Sequence, residues 1–250
     1  MNAMFLLKTL NKKHLESTIL QGEFCFNFPT AFKDNTDLKP AQVDSWEGHK
    51  TTEVSHVMVF PAESEKNGVI KYGSPLSFPS GVVRETTELA QKTPFCSFRL
   101  LNSDEVCADA HGFSCKLSNE TYNKIKAEFG HDAFIFIIAV QEFANRLCKQ
   151  EGCFGSPIYY GTTDNTYDKA FQSQPPFVSC LFQKSKKYEW QHEYRIIVSP
   201  KESPGPHFVK IGSIADIAFG GDLNYLKEGI TIFETETPSS SILPPFSHKS

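Results

Sequence analysis

FQKSKKYEWQHEYRIIVS, residues 182–199, starts as a loop bearing Lys184, Lys186 and Lys187 and continues as a strand that is polar or aromatic at first and β-branched later. Side chains alternate along a strand. Trp190, His192, Tyr194, Ile196 and Val198 are therefore expected on one, buried face, and Gln191, Glu193, Arg195 and Ile197 on the other, polar one. On that polar face the Glu193 carboxylate lies about 7 Å along the strand from the Gln191 amide. One group could stabilise developing positive charge and the other could orient a nucleophile. The same pattern also fits a solvated Glu193–Arg195 pair, worth only a few tenths of a kcal/mol (~0.2–1). Trp190 and Tyr194 are expected to be buried. A Glu193→Gln change, being isosteric, is expected to leave the melting temperature almost unchanged.

The chain of 250 residues is long enough to bury a substantial core. One α+β domain over residues 1–235 is expected, followed by a Pro/Ser-rich tail, 236–250. With 22 Phe against 3 Met, that core should be aromatic and built of strands as much as helices. No apolar run approaches the roughly eighteen residues of a membrane span, and the longest, Ala133 to Val140, has strand length. The formal charge of −4 gives no electrostatic reason to expect nucleic-acid binding. Seven cysteines without framework spacing fit reduced thiols, and the N-terminus lacks a signal-peptide pattern, so a cytoplasmic location is expected.

Along the chain, Met4–Leu10 reads as a strand, Asn11 caps a helix that runs to Gln21 with Gly22 as its stop, and Phe24, Phe26 and Phe28 line one face of the next strand. Strands are expected at 94–100, 111–117 and 133–140, with Ser118 capping a helix that Gly130 ends. Helices are expected at 81–91 and 141–150, and a strand at 177–183 after a long polar loop, 161–176. On the strand at 94–100, Ser97 and Arg99 share a face and could hold a ribose hydroxyl and a phosphate, although a polar sheet face is the commoner explanation. Cys107, His111 and Cys115 have a C-x3-H-x3-C spacing without the paired hooks of a structural zinc site, so no metal is expected.

Three stretches together carry a resemblance: HLESTILQGEFCFNFPTAFKD (14–34), PFCSFRLLNSDEVCADAHGFSCKLS (94–118) and the stretch quoted first. Their order resembles the bacterial and phage family catalogued as domain of unknown function 2971. The matching positions are Phe26, Pro29, Phe32 and Asp34, then Ser97, then Gly112 and Phe113, and last Trp190, Glu193, Tyr194 and Arg195. Lys33 stands where that family usually has Asn, and Gln191 where an acidic residue is frequent. The layout is also similar to mono-ADP-ribosyltransferases, including the DarT-like toxins. In those enzymes a first-strand Arg or His, a middle-strand serine, and a final Glu preceded two positions earlier by Glu or Gln form the NAD site.

That similarity implies an ADP-ribosyltransferase-like fold of mixed, mainly antiparallel sheets with flanking helices, and NAD as substrate. Lys8, Ser97, Glu193 and Gln191 take the corresponding places. Glu193 would stabilise the oxocarbenium-like ribose, Gln191 would position the acceptor, and Phe26 and Phe32 would stack on nicotinamide. Arg99 would join Ser97 in holding NAD. The implied function is NAD-dependent mono-ADP-ribosyl transfer to a macromolecular acceptor, a protein, by an intracellular toxin, effector or phage factor. The alternative is a non-enzymatic binding protein of phage defence or toxin immunity, using the lysine loop and residues 161–176 as its surface.

Overall fold

The computed structural model describes residues 4–32, 44, 47–55, 57–59, 62–66, 69–74, 76–109, 112–162, 165–202 and 205–233. The expected tail, 236–250, lies outside them, as do Lys33, Asp34 and His111. The chain is α+β with mainly antiparallel sheets. Six strands form the central sheet, numbered here in chain order: β1 Leu6–Leu10, β2 Phe95–Leu100, β3 Ala133–Ile137, β4 Cys153–Pro157, β5 Glu193–Val198 and β6 Ala218–Asp222. Their spatial order is β4-β5-β2-β1-β3-β6, every neighbouring pair antiparallel.

Alternation along AFIFI explains why β3 sits inside the sheet. Ala133, Ile135 and Ile137 join one core cluster with Phe24, Phe26 and Phe98, against Phe143 and Leu147 of the helix Val140–Gln150. Phe134 and Phe136 project to the opposite cluster, against Tyr122 and Ile125 of the helix Asn119–Phe129. A strand buried on both faces reads as a continuous apolar run. A third cluster, with Phe95, Ile197, Leu181 and Phe182, packs over the β5 side of the sheet.

Helix ends follow local chemistry. Ser118 Oγ accepts from the Thr121 amide at 3.0 Å, and Gly130 closes that helix at φ +67°. Residues 81–91, expected as a helix, are a strand, Gly81–Glu85, paired with Lys50–Val54, and then a short helix, Glu88–Gln91, capped by Thr87. β-Branched Val82 and Val83 follow the ladder rather than a helical period. Residues 177–183, expected as a strand, are mostly helix, Pro176–Leu181, with proline in the first turn where its missing N–H is harmless. The expected loop 161–176 contains the helix Asn165–Phe171, and a further strand, Val106–Asp109, lies between the expected strands at 94–100 and 111–117. Cys148 and Cys153 are joined in a disulfide, contrary to the expectation of reduced thiols, while Cys25, Cys96, Cys107, Cys115 and Cys180 are free.

Gly22 fixes the turn that brings Glu23–Phe26 back beside the sheet. It holds φ +59°, and a Cβ there would collide with the carbonyl oxygen of Gly212. Gly22→Ala should therefore destabilise by at least about 1–3 kcal/mol, the cost of a left-handed non-glycine residue. A urea melt checks this: the midpoint should fall at an unchanged slope.

Candidate functional site

The ladder between β1 and β2 consists of two register pairs, Leu6–Leu100 and Leu7–Arg99. Beyond them the strands part, and a cavity of about 440 Å³ opens between their diverging halves. Residues Leu7 to Leu10 line one wall and Phe95 to Arg99 the other. Lys8 stands in the gap. Its Nζ donates to the Ser97 carbonyl at 2.7 Å and lies 5.4 Å from the Phe98 ring centroid. The lysine thereby satisfies a backbone acceptor.

β5 lies on the other side of β2, with Glu193 opposite Arg99 and Arg195 opposite Ser97. The expected strand does not begin at Trp190, however. Lys186–Gln191 is a 3-10 helix, and His192, at φ +44°, turns the chain into β5. Histidine is among the residues that tolerate this left-handed conformation. The turn overrides the alternation expected across residues 190–193. Trp190 is half-buried rather than buried, and it packs against Phe129 beside the cavity. Tyr194 is also only half-buried, whereas Ile196 and Val198 of the same face are buried as expected. Glu193, Arg195 and Ile197, on the face expected to be polar and open, are buried too, so β5 is covered on both sides.

The turn is tied to the sheet by Arg99. Its Nη1 donates to the Trp190 carbonyl at 2.6 Å, and its Nε and Nη2 donate to Glu105 Oε1 at 3.1 and 2.7 Å. Both side chains are buried. Arg99 borders the cavity, but its guanidinium is committed to placing the turn that carries Gln191, which leaves the expected phosphate contact without support.

Four charged groups meet beside the cavity: Glu193 of β5, Lys184 and Glu47, which line it, and Arg195 of β5, which lies behind them. Arg195 is fully buried, with Glu47 and Glu193 nearly so. Its Nε and Nη2 donate to Glu193 Oε1 at 2.9 and 2.7 Å, and its Nη1 donates to Glu47 Oε1 at 2.6 Å and the Leu181 carbonyl at 2.5 Å. The guanidinium carbon also lies 3.9 Å from the Phe95 ring centroid. Ser97 Oγ donates to Glu193 Oε1 at 2.5 Å. Lys184 Nζ donates to Glu193 Oε2 at 3.0 Å and to Gln191 Oε1 at 3.0 Å, and lies 3.8 Å from Glu47 Oε2.

Two carboxylates and two cations make the cluster neutral, which is how charges persist at this depth. Burial pushes Glu193 upward, but Arg195, Lys184 and the Ser97 hydrogen bond outweigh it and hold the carboxyl well below the usual range. Burial pulls Lys184 down, and Glu193 and Glu47 more than reverse it, so its ammonium is held charged. Tyr160, whose hydroxyl accepts from the Glu193 amide at 2.7 Å, is raised by burial and then by the Glu193 charge. Cys25 and Cys96 also line the cavity, and burial raises both thiols, so neither supplies a ready thiolate.

The structure thus brings Lys8, Ser97, Arg99, Gln191, Glu193 and Phe32 to one cavity. Phe32 borders it stacked on Phe95, with ring centroids 5.3 Å apart. Phe26 does not join them. Its strand is clamped against β2 through the Asn27–Phe95 bridge, and its fully buried ring sits in the first core cluster, where it cannot stack on a ligand. Two members of the charge cluster were not singled out from sequence as site residues. Lys184 reads there as one of three loop lysines. Glu47 carries no signal, because it reaches Arg195 from 148 positions away. Among the described residues, no group of three or more His, Cys, Asp or Glu could hold a metal ion, and no helix is long and apolar enough to cross a membrane. Compared with known proteins, the chain matches no family model, no curated protein and no solved structure.

Proposed function

We propose that this protein is an NAD-dependent mono-ADP-ribosyltransferase of the ADP-ribosyltransferase-like fold, similar in layout to the DarT-like toxins and resembling the family of domain of unknown function 2971. One observation carries the reading. Lys8, Ser97 and Glu193 lie on three adjacent strands, β1, β2 and β5, and border a single cavity, with Gln191 beside Glu193. The resembled enzymes use for NAD a first-strand Arg or His, where this chain has Lys8, a middle-strand serine, and a final Glu preceded two positions earlier by Glu or Gln. A cavity of about 440 Å³ is also in the range of small-molecule sites.

In this chemistry the bond between the nicotinamide nitrogen and the ribose carbon breaks, and its electron pair leaves with neutral nicotinamide. The ribose gains oxocarbenium character, which the Glu193 carboxylate stabilises most effectively in a site shielded from water. An acceptor heteroatom then bonds to that carbon and releases its proton. Water is the default acceptor, giving ADP-ribose. The protein would act in the cytoplasm of the producing cell, or of a host cell if it is an effector, and its macromolecular acceptor would be a protein.

A second reading is favoured by a different observation. Both Glu193 oxygens already have protein donors, as in a cluster whose task is structural. That fits the non-enzymatic binding protein of phage defence or toxin immunity. Incubation with NAD and chromatography of released nicotinamide separates the two. The transferase reading expects slow release without any added acceptor. Absence of both release and calorimetric NAD binding overturns it and leaves the binding protein.

A further inference from the structure

We infer that Lys184 is a positioning residue for this NAD chemistry: its ammonium group joins Glu193 to Gln191, fixing which carboxylate oxygen and which amide atom face the reacting groups. The inference rests on the transferase reading and adds a residue to it.

The argument starts from the two oxygens of Glu193. Oε1 accepts from Ser97 and twice from Arg195, so it is saturated. Oε2 accepts from Lys184, and it is the oxygen left with capacity for a ribose hydroxyl. An ammonium group only donates, so the Gln191 atom 3.0 Å from Lys184 must be the amide oxygen. This removes the usual ambiguity of an amide's orientation and turns Nε2, the donor end, away from the lysine. Lys184 is only about one-tenth exposed, and its Nζ also lies 5.0 Å from the Tyr188 ring centroid. A flexible side chain is thus confined to one position, directly between the two groups that the reaction needs.

Other groups around Glu193 bear on its ionisation. Arg195 flanks it on its own strand. Ser97 and Arg99 face it from β2, where the Cys96 thiol also feels its charge. Lys8 stands on β1 beyond the Ser97 carbonyl, Tyr160 approaches from the short strand Tyr159–Tyr160, and Glu47 lies across Arg195. Lys184 is the cation in direct contact with Oε2, and removing it changes the charge there without touching the Arg195 contacts.

The test compares wild type, Lys184→Met and Lys184→Arg for nicotinamide release against pH and for the ratio of transfer to hydrolysis, using a total lysate protein mixture as acceptor. Wild-type release should stay flat through and below about pH 4, the ordinary carboxylate range, because Glu193 is held charged beneath it. Lys184→Met should acquire an acid limb about one pH unit or more higher, since removal of an opposite charge at contact distance raises a carboxyl by that order. Its transfer-to-hydrolysis ratio should fall at least about threefold as Gln191 loses its anchor. Lys184→Arg should restore the acid limb but not the full ratio, because a planar fork cannot reproduce the ammonium's position. If Lys184→Met does not fold, Lys184→Gln serves, since its amide can still donate to Glu193 while the charge is gone, and it should show the same shifted limb. A wild type that turns NAD over, with a folded charge-removal variant whose acid limb and transfer ratio are unchanged, overturns the role of Lys184 alone. A wild type with neither NAD release nor NAD binding overturns the transferase reading, and this role with it.

Discussion

Arg195→Met should destabilise the protein by about 3–5 kcal/mol, the order found when one partner of a buried ion pair is removed and the other charges stay behind. Methionine fills much of the same length, so the loss is electrostatic more than volumetric. Glu47 and Glu193 would face each other with Lys184 as their remaining cation contact within the cluster, and the Leu181 carbonyl and Phe95 ring would lose their guanidinium partner. Because Glu47 precedes the ribbon strand Lys50–Val54, the same change should loosen that segment first. Chemical denaturation measures the global loss, and hydrogen exchange of the 50–54 amides measures the local one. A midpoint unchanged from wild type would mean that the cluster is solvated in solution.

The pH dependence of that loss has a definite sign. Glu193 is held below its unfolded value, so its contribution is complete above the unfolded carboxylate pKa of about 4.3 and fades as pH falls toward the folded one. In Arg195→Met the carboxyl is less depressed, and less of its stability remains to be lost in acid. The difference between wild type and variant should therefore be largest near neutrality and shrink below about pH 4.

Much of this architecture could be read directly from residues. The double-sided burial of β3 follows from the apolar run AFIFI, the helix at 119–129 from Ser118 and Gly130, and the turn after the first helix from Gly22. Local chemistry decides each of these. The residues before Glu193 could not be read so, because YEWQHEY fits a strand by alternation as well as it fits a helical turn. What selects the turn is non-local: Arg99 holding the Trp190 carbonyl, and Asn102 Nδ2 lying 3.3 Å from His192 Nδ1. Glu193 and Ser97 could be paired in advance because a strand face and a resemblance both pointed to them. Lys184 and Glu47 could not. Their parts in the site depend on how a helix and a loop pack over β5, and charge neutrality in a buried cluster constrains total charge without saying which residue supplies it.

Glu193→Gln should reduce nicotinamide release from NAD by a hundredfold or more, on the order of what one preorganised electrostatic group contributes, with NAD binding little changed by calorimetry. The structure alters what else to expect of this variant. Sequence alone makes the change isosteric and thermally silent, but here it sets Arg195 and Lys184 against Glu47 as the one carboxylate of the cluster, so the melting temperature should fall. Loss of turnover must therefore be measured where circular dichroism shows the variant folded, and beside Glu193→Asp. Aspartate keeps the negative charge and most of the stability, but its carboxylate is one methylene, about 1.5 Å, further from the ribose, enough to lose most of the rate if alignment matters. Turnover falling in both variants while NAD still binds would mean that the carboxylate acts on the reacting centre. Wild-type turnover in a folded Glu193→Gln would mean that it serves only to neutralise Arg195 and Lys184, and NAD cleavage would then have to be assigned to another group lining the cavity.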